Sequence, residues 1–208
     1  MPGICKGFAA SLVVLVLVAP IASLAGPYED GESAFRRKDY AMAMKHWQPL
    51  ADGQDARAQA GVAAMYLGGL GVAPDHTLAL AWCEKAAHQG EPKAQYLLGS
   101  MYRDGKGVPK DLARAMALFR QAADQNLNWA QYTLGLMYLL GEGVPADRLE
   151  AYHWLSLASA MRDDDDAQVH ATAGFMLDEV SAKLTPDQIS QAKQRISEWK
   201  PAPSPRDK

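Results

Sequence analysis

The chain repeats itself at a fixed spacing of 36 residues, and this period constrains its fold more than any other feature. Shifting the sequence by that distance aligns Met-Tyr pairs, Gly-x-Gly-Val loops and single aspartates in three successive units. A period between about 20 and 50 residues is typical of solenoids, in which stacked units bury one continuous core. The aligned columns include Ala58, Ala94 and Ala130; Met65, Met101 and Met137; Gly69, Gly105 and Gly141; Asp75, Asp111 and Asp147; and Ala79, Ala115 and Ala151.

Each unit predicts a pair of helices. In the second unit, apolar residues recur at spacings of three and four, which is typical of one face of a helix; these are Ala94, Leu98, Met101 and Tyr102. The pattern predicts a first helix from Lys93 to Arg103. The small residues Ala115 and Ala122, with Phe119 between them, predict a second helix that packs closely on the first.

The loop between the two helices carries its own signals. Gly105 follows the first helix and is expected to adopt the left-handed conformation that ends helices. Val108 is expected to fold back onto the helix pair, and Asp111 to cap the second helix by accepting from its free N–H groups. In the third unit, Asp147 followed by Glu150 predicts a near capping box.

The sequence on either side of the three full units contains degenerate copies of the repeat. Helices are predicted over about 29–37 and 39–51, and, after the repeats, from Ala167 to about Leu184 and from a capping box at Thr185 to about Trp199. The predicted organisation is a signal peptide (1–25), an N-terminal capping hairpin (26–55), three repeats (56–91, 92–127 and 128–163), a C-terminal capping hairpin (164–200) and a disordered tail (201–208).

The first 25 residues predict export. Lys6 precedes an apolar run, and Ser23 and Ala25 place small residues where signal peptidase requires them, so cleavage is expected after Ala25. The alternative is an uncleaved anchor, but the apolar stretch falls short of the roughly 20 residues that a spanning helix needs. The expected location is periplasmic or secreted, with no membrane attachment after cleavage.

Charge and cysteine content exclude some partners and cross-links. The net charge of −3 gives no indication of nucleic-acid binding. Cys5 would leave with the signal peptide, so Cys83 has no intrachain partner in the mature chain, and packing has to stabilise the fold.

The repeat columns resemble the Sel1-like repeat, a relative of the tetratricopeptide repeat. The resemblance rests on Leu98-Gly99-x-x-Tyr102-x-x-Gly105-x-Gly107-Val108 and on Ala115-x-x-Leu118-Phe119-x-x-Ala122-Ala123, with a matching third unit. The first unit departs from the pattern, with Ala63 in the column of Gly99 and Cys83 in an aromatic column. The resemblance implies an all-α, right-handed superhelical solenoid of antiparallel helix pairs that acts as an adaptor. Some cysteine-rich relatives are associated with β-lactam binding or hydrolysis, but this chain lacks their cysteines.

The alternative function is an envelope hydrolase acting on a β-lactam or peptidoglycan fragment. Cys83 with a distant histidine is a conceivable thiol nucleophile, although its column holds Phe119 and Leu155 in the other units, which predicts buried packing. The acidic run 163–166 is a conceivable calcium ligand set, although it lacks the alternation of a calcium loop. We therefore predict no catalytic residue, no metal and no cofactor.

The preferred function is a non-catalytic scaffold that holds a protein or peptide in a concave groove lined by the first helices. A spacer without a selective partner is the third alternative. The helix register predicts a groove that is basic in its middle and apolar toward the third unit, with Trp129 partly covered by the C-terminal hairpin and Tyr132 exposed. The predicted groove residues are Arg57, Lys93, Tyr96, Ser100, Arg103, Trp129, Tyr132, Leu136 and Leu139, and the register adds Ala60, Ala64 and Leu67.

Overall fold

The computed structural model describes residues 26–160 and 167–203. These two ranges contain ten α-helices, and no strand occurs in them. The helices are α1 (Pro27–Arg36), α2 (Tyr40–Asp52), α3 (Ala56–Gly68), α4 (His76–His88), α5 (Pro92–Asp104), α6 (Leu112–Asp124), α7 (Asn128–Leu140), α8 (Arg148–Ala160), α9 (Ala167–Ser181) and α10 (Pro186–Glu198).

The helices form a stack of hairpins, as the period predicts. Helices α1 and α2, α3 and α4, α5 and α6, and α7 and α8 pack as pairs, and the second helix of each pair packs on the first helix of the next. Helix α9 continues the stack on α8, while α10 turns back onto α8. The prediction of an all-α repeat solenoid is confirmed. No helix among the described residues is both long and apolar enough to cross a bilayer.

The loop of each full repeat depends on two glycines with different roles. Gly105 ends α5 at φ +71°, which confirms the predicted left-handed cap, and Gly69 and Gly141 do the same for α3 and α7. Gly107 also has a positive φ, of +75°, and a Cβ there would lie 2.9 Å from the carbonyl oxygen of His76. The second glycine therefore lets each loop sit against the start of the preceding repeat's second helix.

The aspartate column caps the second helices. Asp111 accepts from the backbone N–H of Arg114 at 3.0 Å, as predicted, and Asp147 accepts from Leu149 at 2.8 Å. The capping box predicted at Asp147 and Glu150 is wrong. The N–H of Asp147, which Glu150 would accept from in a capping box, donates instead to the carbonyl of Tyr138 at 2.9 Å. The carboxylate of Glu150 pairs with Arg195. The box predicted at Thr185 is present, with Gln188 as its second member.

The C-terminal segment packs on the second-helix side of the solenoid. Ile196 contacts two core clusters at once, and Trp199 contacts the cluster built around Phe119. After α10, the N–H of Ala202 donates to the carbonyl of Asp124 at the end of α6, at 2.6 Å. The start of the predicted tail, 201–203, is exposed and has no regular secondary structure apart from this one contact. Residues 204–208, the acidic run 163–166 and the signal segment 1–25 lie outside the described residues.

Candidate functional site

A large pocket lies where the first helices face one another. We call it the groove; its volume is about 640 Å³, and it extends from α1, across α3 and α5, to the start of α7. It is lined by Tyr28, Glu32, Phe35, Arg36, Trp47, Arg57, Ala60, Gly61, Ala64, Lys93, Tyr96, Leu97 and residues 126–129.

Small residues on α3 give the groove its depth. Ala60, Gly61 and Ala64 present almost no side chain on the face that lines it. The indole of Trp47 lies against Gly61, where a Cβ would come within 2.6 Å of the ring. Trp47 is fixed there because its Nε1 donates to the carbonyl of Tyr28 at 3.1 Å. Rings from α1 and α2 therefore form one wall, opposite Tyr96 and Trp129.

Carboxylates of α1 pair with all three basic residues of the groove lining, Arg36, Arg57 and Lys93. Arg57 donates to Glu29 at 3.1 Å, lies 3.5 Å from Asp55 and places its guanidinium over the Tyr28 ring. Lys93 pairs with Glu32 at 3.4 Å. The prediction of a basic middle section is therefore wrong, because the sequence register did not reveal that α1 brings acidic residues to the same wall.

A second, smaller pocket continues the groove toward the end of α7. It has a volume of about 200 Å³, and it shares Tyr96 and Trp129 with the groove. Arg103 lines it and pairs with Asp104 at 2.9 Å. The remaining lining residues are Tyr132, Thr133, Leu136, Met137, Leu140 and Glu142.

The repeats match the model of a known protein family. The family model described as Sel1 repeat matches residues 22–55, 56–91, 92–127 and 130–163, which is more than half of the chain. The chain belongs to the Sel1 repeat family. Sel1 repeat proteins generally act as scaffolds for protein–protein interactions, and the family is a non-catalytic interaction module. No curated protein matches the sequence.

The solved structures that resemble this Sel1 repeat protein include the following two. A Sel1 repeat protein from Oxalobacter formigenes is 31% identical, with a TM-score of 0.62, and the match covers 73% of this chain and 59% of that one. The protein c5321, a protective antigen present in uropathogenic Escherichia coli strains that displays an SLR fold, is 31% identical with a TM-score of 0.70. That match covers 83% of this chain and 37% of c5321. The chain thus spans less than two thirds of the length of either relative.

The Sel1 stack brings most of the predicted groove residues together. Arg57, Lys93, Tyr96 and Trp129 line the groove, and Arg103, Tyr132 and Leu136 line its continuation. Among the residues that the register adds, Ala60 and Ala64 line the groove, whereas Leu67 packs in the core between α3 and α5.

Three predicted placements are wrong. Leu139 packs into the cluster formed by α8, α9 and α10, because the Sel1 stack continues past α7 and covers that side of the helix. Ser100 is half-buried and donates to the carbonyl of Tyr96 at 3.0 Å. The expectation for the two aromatic groove residues predicted on α7 is reversed: Trp129 is 41% exposed, whereas Tyr132 is half-buried against the cluster of α8–α10.

Several lining residues were not predicted. Tyr28, Phe35 and Trp47 come from the hairpin α1–α2, which the sequence assigned only a capping role. Helix α1 has 10 residues where α3, α5 and α7 have 13, so the 36-residue register does not carry over to it. Asn128 was overlooked as well, because its column holds Ala56 and Pro92 in the other Sel1 units.

The thiol that the hydrolase alternative invokes lies in the core. Cys83 has no exposed surface and packs with Ala63, Ala79 and Met101, as its column predicts. Burial raises the pKa of the Cys83 thiol to about 12, and the charge of Glu84 adds to the effect. A thiol with this pKa is protonated at neutral pH and is a poor nucleophile.

Proposed function

We propose that this protein is a periplasmic scaffold that holds a short segment of a partner protein in the groove. The observation that carries the proposal is a set of aromatic rings that line one pocket, namely Tyr28, Phe35, Tyr96 and Trp129. Tyrosine and tryptophan are favoured as interface anchors because they bury a large area with few rotatable bonds. The family's general role as an interaction module supports the same function.

The dimensions of the groove favour a segment over a folded domain. Its volume of about 640 Å³ falls in the range of about 300–1,000 Å³ that encloses small ligands. An extended peptide placing one or two apolar side chains between the rings fits this space. The ion pairs of Arg57 with Glu29 and of Lys93 with Glu32 leave little net charge for a strongly charged ligand.

Cys83 gives no support to the hydrolase alternative. A thiol nucleophile needs an accessible sulfur with a lowered pKa, whereas the Cys83 thiol is fully buried and its pKa is raised to about 12.

Site-specific photocrosslinking in the native cell envelope tests the proposal. A photoreactive residue at Ala64, which lines the groove, is expected to give a discrete adduct that mass spectrometry identifies as one protein. The same residue at Ala113, exposed on α6, is the matched control and is expected to give no such adduct. Equal adducts from both positions, or none from Ala64, would contradict groove binding.

The periplasmic location is a separate part of the proposal, supported by the residues around Ala25. Cleavage after Ala25 predicts a mature protein that begins at Gly26 and is released with the periplasmic fraction of a Gram-negative cell. Intact-mass measurement on that fraction checks it. Full-length protein in the membrane pellet would instead identify an anchored chain.

A further inference from the structure

The start of α7 differs from the starts of α3 and α5. Residues 55–57 (Asp-Ala-Arg) and 91–93 (Glu-Pro-Lys) open α3 and α5 with an acidic, an apolar and a basic residue in turn. At the start of α7, residues 127–129 (Leu-Asn-Trp) instead place an apolar, a polar and an aromatic residue at these three positions. The three triplets occupy equivalent places in the repeat, and only the last lies wholly in the groove lining.

The first consequence concerns helix capping. Asp55 accepts from the N–H groups of Arg57 and Ala58 at 2.9 and 3.0 Å, and Glu91 accepts from Lys93 at 3.5 Å. Leu127 has no acceptor, and among the described residues no side chain caps α7. The positive end of this 13-residue helix therefore faces the groove without the carboxylate that its two counterparts have.

The second consequence concerns Asn128. Asn128 is 2% exposed, and neither Nδ2 nor Oδ1 has a hydrogen-bond partner among the residues that the structure describes. Burying an amide without partners destabilises a fold, and Ala56 and Pro92 fill the same position without any polar side chain. Folding therefore does not require the amide of Asn128, which leaves an unused donor and an unused acceptor in the lining of the groove.

We propose that this end of the groove binds the C-terminal carboxylate of the partner peptide. The carboxylate accepts from Asn128 Nδ2 and from the backbone N–H of Asn128 in the first turn of α7, and the N–H of the peptide's last residue donates to Asn128 Oδ1. This arrangement uses both halves of the amide and supplies the anion that α7 lacks. The inference rests on the proposed function and names the end of the segment that the groove recognises.

Two features favour a chain end over the middle of a chain. A C-terminal carboxylate carries a negative charge and two acceptor oxygens, whereas the middle of a chain offers only neutral carbonyls, so the chain end alone supplies the anion that α7 lacks. The ring of Trp129 is 41% exposed directly beside Asn128, and it offers apolar contact to the last side chain of the peptide. A phosphate dianion is a poorer fit, because Arg57 and Lys93 are already paired with Glu29 and Glu32.

Affinity selection from two synthetic peptide libraries tests the inference. The libraries contain the same random peptides, with free C-terminal carboxylates in one and C-terminal amides in the other, and mass spectrometry reads the peptides retained by the purified chain. We expect retention from the free-acid library to exceed that from the amide library by at least about tenfold, as loss of a hydrogen bond to a charged group implies.

Three variants assign the preference to α7. Asn128→Ala, which copies Ala56, is expected to remove the preference while melting at the same or a higher temperature than the unmodified protein. Leu127→Asp supplies an internal carboxylate to the helix end, as Asp55 does, and is expected to remove the preference as well. Gln121→Ala is the matched control: it removes an exposed side-chain amide of α6 that lies outside the groove lining, so the preference is expected to persist.

Equal retention from the two libraries would overturn the inference, including the case in which retained peptides are rich in internal Asp or Glu. Such a result would leave groove binding intact. Retention from neither library would overturn it too, and the Ala64 crosslink then decides the proposed function independently. A preference for free acids that survives in Asn128→Ala would also overturn it.

Discussion

Gly99 lies directly against the ring of Phe119, so that a Cβ on Gly99 would stand 2.8 Å from a ring carbon. The next repeat has the same relationship between Gly135 and Leu155, at 2.6 Å. In the first repeat the two positions hold Ala63 and Cys83, which pack in one cluster. The small side chain of Cys83 leaves room for the methyl group of Ala63. The two departures of the first repeat from the family pattern therefore compensate for each other.

This pairing predicts how substitutions combine. Gly99→Ala is expected to destabilise the protein by about 1–3 kcal/mol, as overpacking in cores does. Cys83→Phe is expected to have a cost in the same range, because the ring would meet the Cβ of Ala63. Chemical denaturation of each variant measures these costs.

The double variant Ala63→Gly with Cys83→Phe is the control. It recreates the Gly99–Phe119 pair in the first repeat and is expected to cost less than the sum of its single changes, with a coupling of about 0.5–3 kcal/mol. Strict additivity would show that the two positions do not compensate each other.

The two glycines of one loop are predicted to differ in their tolerance of alanine. Gly105→Ala incurs only the cost of a left-handed backbone, about 1–2 kcal/mol, because its Cβ would lie 3.6 Å from the nearest atom. Gly107→Ala adds a contact of 2.9 Å with the backbone oxygen of His76 and is expected to be clearly more destabilising. Urea denaturation compares the two, and equal costs would contradict the account of loop packing.

The repeat pattern predicted the fold because the residues that recur in it are those that pack in the core or cap the helices. Columns such as Met65, Met101 and Met137 are buried in every unit, and the glycine and aspartate columns end and begin the helices as expected. The pattern did not predict contacts between distant parts of the chain. Arg195 pairs with Glu150 at 2.6 Å across 45 residues, where the sequence predicted that Glu150 would form a capping box.

His153 is expected to make stability depend on pH. Burial lowers the pKa of His153 below its ordinary value, and the nearby charge of Arg195 lowers the pKa further. The unfolded chain therefore binds a proton at His153 more tightly than the folded protein does. The contribution of neutral His153 to the free energy of unfolding is fully present above about pH 6.5 and is lost as the pH falls below it.

Urea denaturation at pH 7.5 and pH 5.5 measures this effect. The unmodified protein is expected to lose more stability on acidification than His153→Phe, which keeps an aromatic ring against Trp154. The difference is at most about 1.4 kcal/mol over this interval, because pH 5.5 lies only about one unit below the pKa of an unfolded histidine. The same loss in both proteins would contradict a buried neutral His153.

Cys83 is expected to resist thiol reagents in the folded protein. Its sulfur is fully buried and its thiol pKa is about 12, so alkylation should follow unfolding. Peptide mapping after alkylation with and without urea measures the reaction at Cys83 alone. Rapid modification without urea would revive the thiol-enzyme alternative.

The groove was predictable only where the period holds. Lys93, Tyr96 and Trp129 follow from the register of α5 and α7, since those helices share length and phase. Tyr28 and Phe35 do not, because α1 is shorter and its turn into α2 lacks the glycine loop. The period does not predict Asn128, because the repeats share no polar residue at this position. Asn128 stands out only when it is compared with Ala56 and Pro92.

The most direct test of groove binding compares two exposed aromatic residues. Trp129, 41% exposed, lines the groove, whereas Phe175, 65% exposed, lies on α9 outside both lining sets. The measurement is the affinity of Trp129→Ala and of Phe175→Ala for the protein captured at Ala64, with the melting temperature of each. We predict that Trp129→Ala weakens binding at least about tenfold, as loss of an interface anchor does, with little change in melting temperature, and that Phe175→Ala binds normally. Normal binding by a folded Trp129→Ala would contradict the groove as the binding surface.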